Sequence, residues 1–153
     1  MEQKKEFYVG IDIGRNRTMI SLYRKDQKEP ETISTVRGME KFGIPLAMFL
    51  EKKGTTYYGD EALKRREQPN GDFFEDIYEG ALQEQTEETT LYHGLLVQFV
   101  RRLIRLKERY GLKGDPTCVA ITVPVLSQQA ITLLQYIRQE LELSEEKMIF
   151  MDY

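Results

Sequence analysis

Tyr8-Val-Gly-Ile-Asp-Ile-Gly-Arg-Asn-Arg-Thr-Met-Ile-Ser-Leu-Tyr23 is the stretch that decides the fold. Val9, Ile11 and Ile13 alternate along one strand, and Ile20 and Leu22 along the next, so the segment reads as two strands joined by a tight turn. Asp12 falls inside the first strand, where an acid is costly unless it is paired or functional. Gly14 stands where the chain reverses, and successive N–H groups in such a turn can form a concave nest for anions. Two readings stay open here. One is a phosphate cradle with a carboxylate beside it; the other is an ordinary hairpin that carries an acid.

Outward from this hairpin, residues 31–36 alternate like a third strand, and 43–50 read as a further strand with Pro45 near its start. A short strand over 55–58 leads to a helix over 61–66, with Asp60 as its cap. Residues 72–90 are acidic, with Phe73, Phe74, Ile77, Tyr78 and Leu82 at mostly helical spacing. A long helix follows, with Leu91, Leu95, Phe99, Leu103, Leu106 and Tyr110 on one face and Gly111 at its end. Its basic residues, Arg101, Arg102, Arg105, Lys107 and Arg109, read as a solvated face placed favourably for the helix dipole. The run 117–123 has the apolar continuity of a strand buried on both faces. Ser127 then caps a helix over 128–141, and 147–151 form a last short strand. Strand, helix and strand from 117 to 151 make a parallel βαβ unit. With the antiparallel hairpins in the same sheet, the expected class is α/β with a mixed sheet.

The chain has 153 residues, enough for one domain with a core. Its formal charge of -3, from 22 basic and 25 acidic residues, provides no electrostatic case for nucleic acid or an anionic membrane as partner. No apolar run approaches the roughly 20 residues of a membrane span, and no signal-peptide core follows the charged N-terminus, so a cytoplasmic location is expected. One cysteine, Cys118, and one histidine, His93, leave no disulfide framework and no cysteine or histidine metal cluster.

Three segments carry a family resemblance: Val9-Gly-Ile-Asp-Ile-Gly14, Ile44-Pro-Leu-Ala-Met-Phe49 leading to Tyr58-Gly-Asp-Glu-Ala-Leu63, and Cys118-Val-Ala-Ile-Thr-Val-Pro-Val125 followed by a helix and Lys147-Met-Ile-Phe-Met151. In this order they resemble the first lobe of the actin-like ATPase superfamily, with DnaK-type heat-shock chaperones the nearest pattern. The resemblance implies a ribonuclease-H-like fold in two lobes, with ATP and Mg²⁺ between them. It implies that Asp12 is the catalytic acid that holds hydrated Mg²⁺. It also implies that Gly14, Arg15, Asn16, Arg17 and Thr18 form the first phosphate loop. The chain departs from the pattern in two ways. Arg15, Asn16 and Arg17 stand where the chaperones carry small hydroxyl residues, and the segment 73–78 offers no lysine for the chaperone's catalytic one. The resemblance further implies that residues 1–153 are one N-terminal lobe of a longer protein, with 37–90 as a possible inserted subdomain. The second phosphate loop and the adenosine-binding glycines would then lie in the missing lobe. The expected function is binding of the phosphates and Mg²⁺ of ATP through the 10–18 hairpin when the second lobe is present; the 153-residue chain alone is expected to bind little or no ATP and to be inactive. The alternatives are a non-hydrolysing scaffold or interaction module of this fold, a sugar or carboxylate kinase, and an FtsA-like or MreB-like filament protein. Expected partners are the second lobe and, through an uncovered sheet, a second copy of the chain.

Overall fold

Strand alternation sorts the N-terminal hairpin into two faces, and the rest of the molecule is built on that division. The computed structural model describes residues 6–25, 29, 31–33, 42–83 and 87–152, with only the backbone at 87–89. Strands β1 (Phe7–Ile13) and β2 (Arg17–Arg24) pair antiparallel, and β3 (Glu31–Thr32) extends the sheet beyond β2. The expected third strand is described only over those two residues; 34–36 and the loop 37–41 lie outside the described residues. Strand β4 (Ile44–Pro45) makes a second, short pairing with β2.

The chain then leaves this sheet. Residues 43–50, which read as one strand, are two strands in different sheets. Pro45 has no N–H with which to continue a ladder, and after Leu46 and Ala47 the chain enters β5 (Met48–Glu51) of a second sheet. There β5 lies between β6 (Thr56–Tyr58) and β7 (Gly71–Phe74), so the second hairpin does not join the main sheet as expected. Between them sits α1 (Asp60–Lys64), whose N-cap is Gly59 at φ 64°, not Asp60. Phe73 and Phe74 belong to β7, where they face Phe49 and Met48 across the ladder; aromatic pairs suit a strand surface, and the helix α2 (Ile77–Leu82) starts only after them.

Helix α3 (Glu87–Arg105) runs on as a 3₁₀ segment, Leu106–Tyr110, and ends at Gly111 in the left-handed conformation, φ 71°. Its Leu95, Leu96, Phe99, Val100 and Leu103 are buried, but Leu91, expected on the same face, is exposed. Strand β8 (Cys118–Val123), helix α4 (Gln128–Glu140) and strand β9 (Met148–Asp152) form the expected βαβ unit, with β8 parallel to both β1 and β9. The main sheet thus runs β3-β2-β1-β8-β9, mixed in direction. Ser127 caps α4 by accepting a hydrogen bond from the Ala130 N–H at 3.1 Å. Ser127→Ala is expected to lower stability by about 1 kcal/mol, read as a reduced urea midpoint at unchanged slope.

One face of the main sheet holds the core. Val9, Ile11, Ile13, Ile20, Leu22, Val119, Ile121 and Val123 are buried there against α3 and α4. The other face is open among the described residues. Strand β8 alternates between buried and half-buried positions, so it is not enclosed on both faces as its composition suggested. The open face carries a row of Thr32, Ser21, Gly10, Ala120 and Ile149, and beside it a row of Met19, Asp12, Thr122 and Met151. A side chain at Gly10 would meet nothing within 4 Å, while Ile149 is 51% and Met151 44% exposed.

Candidate functional site

The carboxyl ends of β1 and β8 come out together, since the two strands are parallel and in register from Tyr8↔Cys118 to Asp12↔Thr122. Asp12 is exposed on the open face at that end, with Met19 beside it on β2 and Thr122 beside it on β8. The expectation of a costly interior acid does not hold, because the sheet leaves this face to solvent. Asp12 and Thr122 together place a carboxylate and a hydroxyl side by side.

Gly14, Arg15 and Asn16 then reverse the chain. The Gly14 N–H donates to the Arg17 carbonyl at 2.9 Å and closes the hairpin. That donor is therefore used within the turn. The N–H groups of Arg15 and Asn16 donate to no backbone carbonyl among the described residues. Gly14 has no positive φ; a Cβ here would sit 3.2 Å from the Arg17 carbonyl, so glycine is needed for room and not for conformational freedom.

The turn rests on the segment that leads into β4. The Asn16 carbonyl accepts from the Leu46 N–H at 2.9 Å, and Arg17 pairs with Pro45. The Arg17 side chain lies along Gly43, where a Cβ would come within 3.1 Å of its guanidinium. On the turn's other side, Arg15 Nε meets Glu79 Oε1 of α2 at 3.1 Å.

Thr18 is placed apart from the rest. Ile13↔Thr18 is an inward pair and Asp12↔Met19 an outward one, so the two side chains lie on opposite faces of the sheet. The Thr18 hydroxyl is buried and donates to the Ile44 carbonyl at 3.0 Å. The structure thus brings Asp12 to the same end of the sheet as the tip of the turn, and turns Thr18 away from both. Thr122 and Glu79 were missed as members of this region. Thr122 lay within the quoted Ile-Thr-Val-Pro motif; Glu79 carries no local signal, because its approach to Arg15 depends on tertiary packing.

Among the described residues no group of three or more His, Cys, Asp or Glu side chains could hold a metal ion. A cation at Asp12 would accordingly have one protein carboxylate and otherwise water or phosphate oxygens, the coordination Mg²⁺ accepts. The exposed carboxylate of Asp12 is a hard oxygen donor of the kind that a hydrated divalent cation accepts. Away from this site, burial pushes the Cys118 thiol up and keeps it protonated. His93 packs on the Tyr136 ring, with Nε2 2.7 Å from the Ala81 carbonyl. Among the described residues no helix is long and apolar enough to cross a membrane.

The sheet order, the parallel unit and the helices on one face make a mixed α/β fold similar to that of an actin-like lobe. The chain superposes on a solved structure of the actin-like protein MamK, a non-polymerising mutant bound to AMPPNP, with a TM-score of 0.58 and 18% identity. That match covers 98% of this chain and 42% of the MamK chain, so the present chain spans less than half the length of its structural relative. Residues 29–153 match the C-terminal part of a family of unknown function, DUF5716, and the chain belongs to that family. No curated protein matches it. Nothing in these comparisons points to the DnaK-type chaperones within the wider fold group.

Proposed function

We propose that this chain is the lobe of an actin-like protein that holds the phosphates and the magnesium of ATP, with Asp12 and the turn Gly14–Arg17 as the contact region. One observation carries the reading. Asp12 is a solvent-accessible acid at the shared carboxyl end of two parallel strands, next to a tight turn. Open α/β sheets bind ligands outside the carboxyl ends of their strands. Asp12 orients the waters around Mg²⁺, the Arg15 and Asn16 N–H groups donate to phosphate oxygens, and Arg15 and Arg17 add charged donors. Thr18 has no part, because its hydroxyl faces the core. Magnesium, when bound, supplies neutralisation of phosphate charge.

A second reading, nucleotide binding without hydrolysis, is favoured by the segment Phe73-Phe-Glu-Asp-Ile-Tyr78, which contains no lysine. A second lobe of the same protein is the partner that would complete either site.

The test is a titration of the protein, its second lobe present, with ATP, with and without Mg²⁺, followed by amide NMR. Chemical shifts are expected to move at Gly14–Arg17, and Asp12→Asn is expected to weaken the magnesium-dependent part of the affinity by about tenfold. Absence of shifts at the turn up to about 10 mM ATP, where binding is worth less than ~3 kcal/mol, would rule the reading out.

A further inference from the structure

The Arg15–Glu79 ion pair has properties of an exchangeable contact. Its Nε–Oε1 distance is 3.1 Å, and the two side chains are 81% and 46% exposed. An exposed pair of this kind is worth about 1 kcal/mol at most, so anions in solution can compete for the guanidinium. The two ends differ in how firmly they are held. Glu79 lies on α2, whose Ile77, Tyr78, Gly80 and Ala81 are buried around it. Gly80 touches Tyr92 of α3 so closely that a Cβ would fall 2.5 Å from its ring. Arg15, by contrast, is a long side chain at the tip of the turn. The backbone there is fastened by the Gly14–Arg17 and Leu46–Asn16 hydrogen bonds. Release of the pair therefore needs only rotation of the Arg15 side chain.

We infer that Glu79 is an internal competitor for Arg15, and that a polyphosphate entering the turn takes the guanidinium from it. A guanidinium donates two parallel hydrogen bonds to phosphate as readily as to carboxylate, and a polyphosphate offers more charge than one glutamate. The exchange links site occupancy to α2. Helix α2 follows β7 through Asp76, which sits in the left-handed region at φ 51° without a side-chain cap bond. When Arg15 leaves, the carboxylate of Glu79 is released to solvent. The device thus reports an occupied turn to the helix that follows the small sheet. This inference rests on the proposed phosphate reading of the turn but not on the nucleoside.

The experiment compares the protein, its second lobe present, with its Glu79→Gln, Arg15→Ala and double variants, each titrated with ATP and, separately, with inorganic tripolyphosphate. Glu79→Gln is expected to tighten both ligands two- to fivefold, the range set by a pair worth up to about 1 kcal/mol. In the Arg15→Ala background the same substitution is expected to change neither affinity. Amide shifts over Ile77–Leu82 should follow ligand in the parent chain and not in Arg15→Ala. Equal tightening in both backgrounds would mean that Glu79 acts only as a nearby negative charge, and the exchange is then overturned. No tightening in the parent background overturns it as well. Tripolyphosphate binding with the expected coupling, but no contribution from the nucleoside of ATP, leaves the exchange standing and removes the nucleotide reading. Failure of both ligands to bind removes both.

Discussion

Phe99→Ala is expected to lower the stability of the chain by about 3–5 kcal/mol. Phe99 is fully buried in the middle of α3, and its ring meets Tyr58 edge-on, with centroids 5.6 Å apart. Tyr58 belongs to β6 of the small sheet, and Arg102, one turn further along α3, donates to the Thr56 carbonyl of the same strand at 2.9 Å. Phe99 therefore lies at the seam between the main core and the second sheet. Truncation removes apolar burial and leaves a cavity that two fixed backbones cannot close. Typical domains have only about 5–15 kcal/mol in total, so the variant should show a large loss in urea midpoint and in melting temperature. A loss of less than about 1 kcal/mol would mean that the surrounding residues collapse into the space and that the seam is softer than described.

Gly71→Ala is the second large effect. A Cβ at position 71 would stand 2.4 Å from the Leu50 carbonyl oxygen and 2.7 Å from the ring of Phe49. Neither neighbour can give way cheaply. Leu50 is backbone of the central strand of the small sheet, and Phe49 is fully buried. Overpacking of this kind costs about 1–3 kcal/mol, and here it falls on the β5–β7 ladder. Faster hydrogen exchange is expected at Met48–Glu51 and Gly71–Phe74, while amides of β1 and β8 stay protected. Uniform acceleration across both sheets would show instead that the two sheets open as a single unit.

The local patterns were legible in proportion to how locally they are determined. The first hairpin, the Ser127 cap, the Gly111 helix end and the β8-α4-β9 unit all follow from neighbours in sequence. The change of sheet between Pro45 and Met48 was not legible, because apolar residues continue across it and periodicity does not say which sheet a strand joins. Phe73 and Phe74 misled for a related reason. Their spacing to Ile77 suits a helix, yet pairing with β5 overrides that spacing. The exposure of Asp12 depends on what packs on the sheet's second face, which no window of sequence contains. Thr18 is different. It falls in phase with Ile20 and Leu22, so the alternation that defined the strand already assigned its hydroxyl to the core. Of the candidate site, then, the acid and the turn were legible, and the partners Thr122 and Glu79 required the assembled fold.

The parallel pairing of β1 with β8 has a consequence for how the molecule comes into being. Tyr8 pairs with Cys118, with most of the chain between them. The two central strands of the main sheet are thus made far apart in time on the ribosome. The N-terminal hairpin emerges early, and its inner apolar side chains must wait for β8 and α4 before they are covered. Non-local pairing of this kind slows folding and prolongs the exposure of unpaired strand edges. The end of the sheet that carries Asp12 is complete only once β8 has paired with β1.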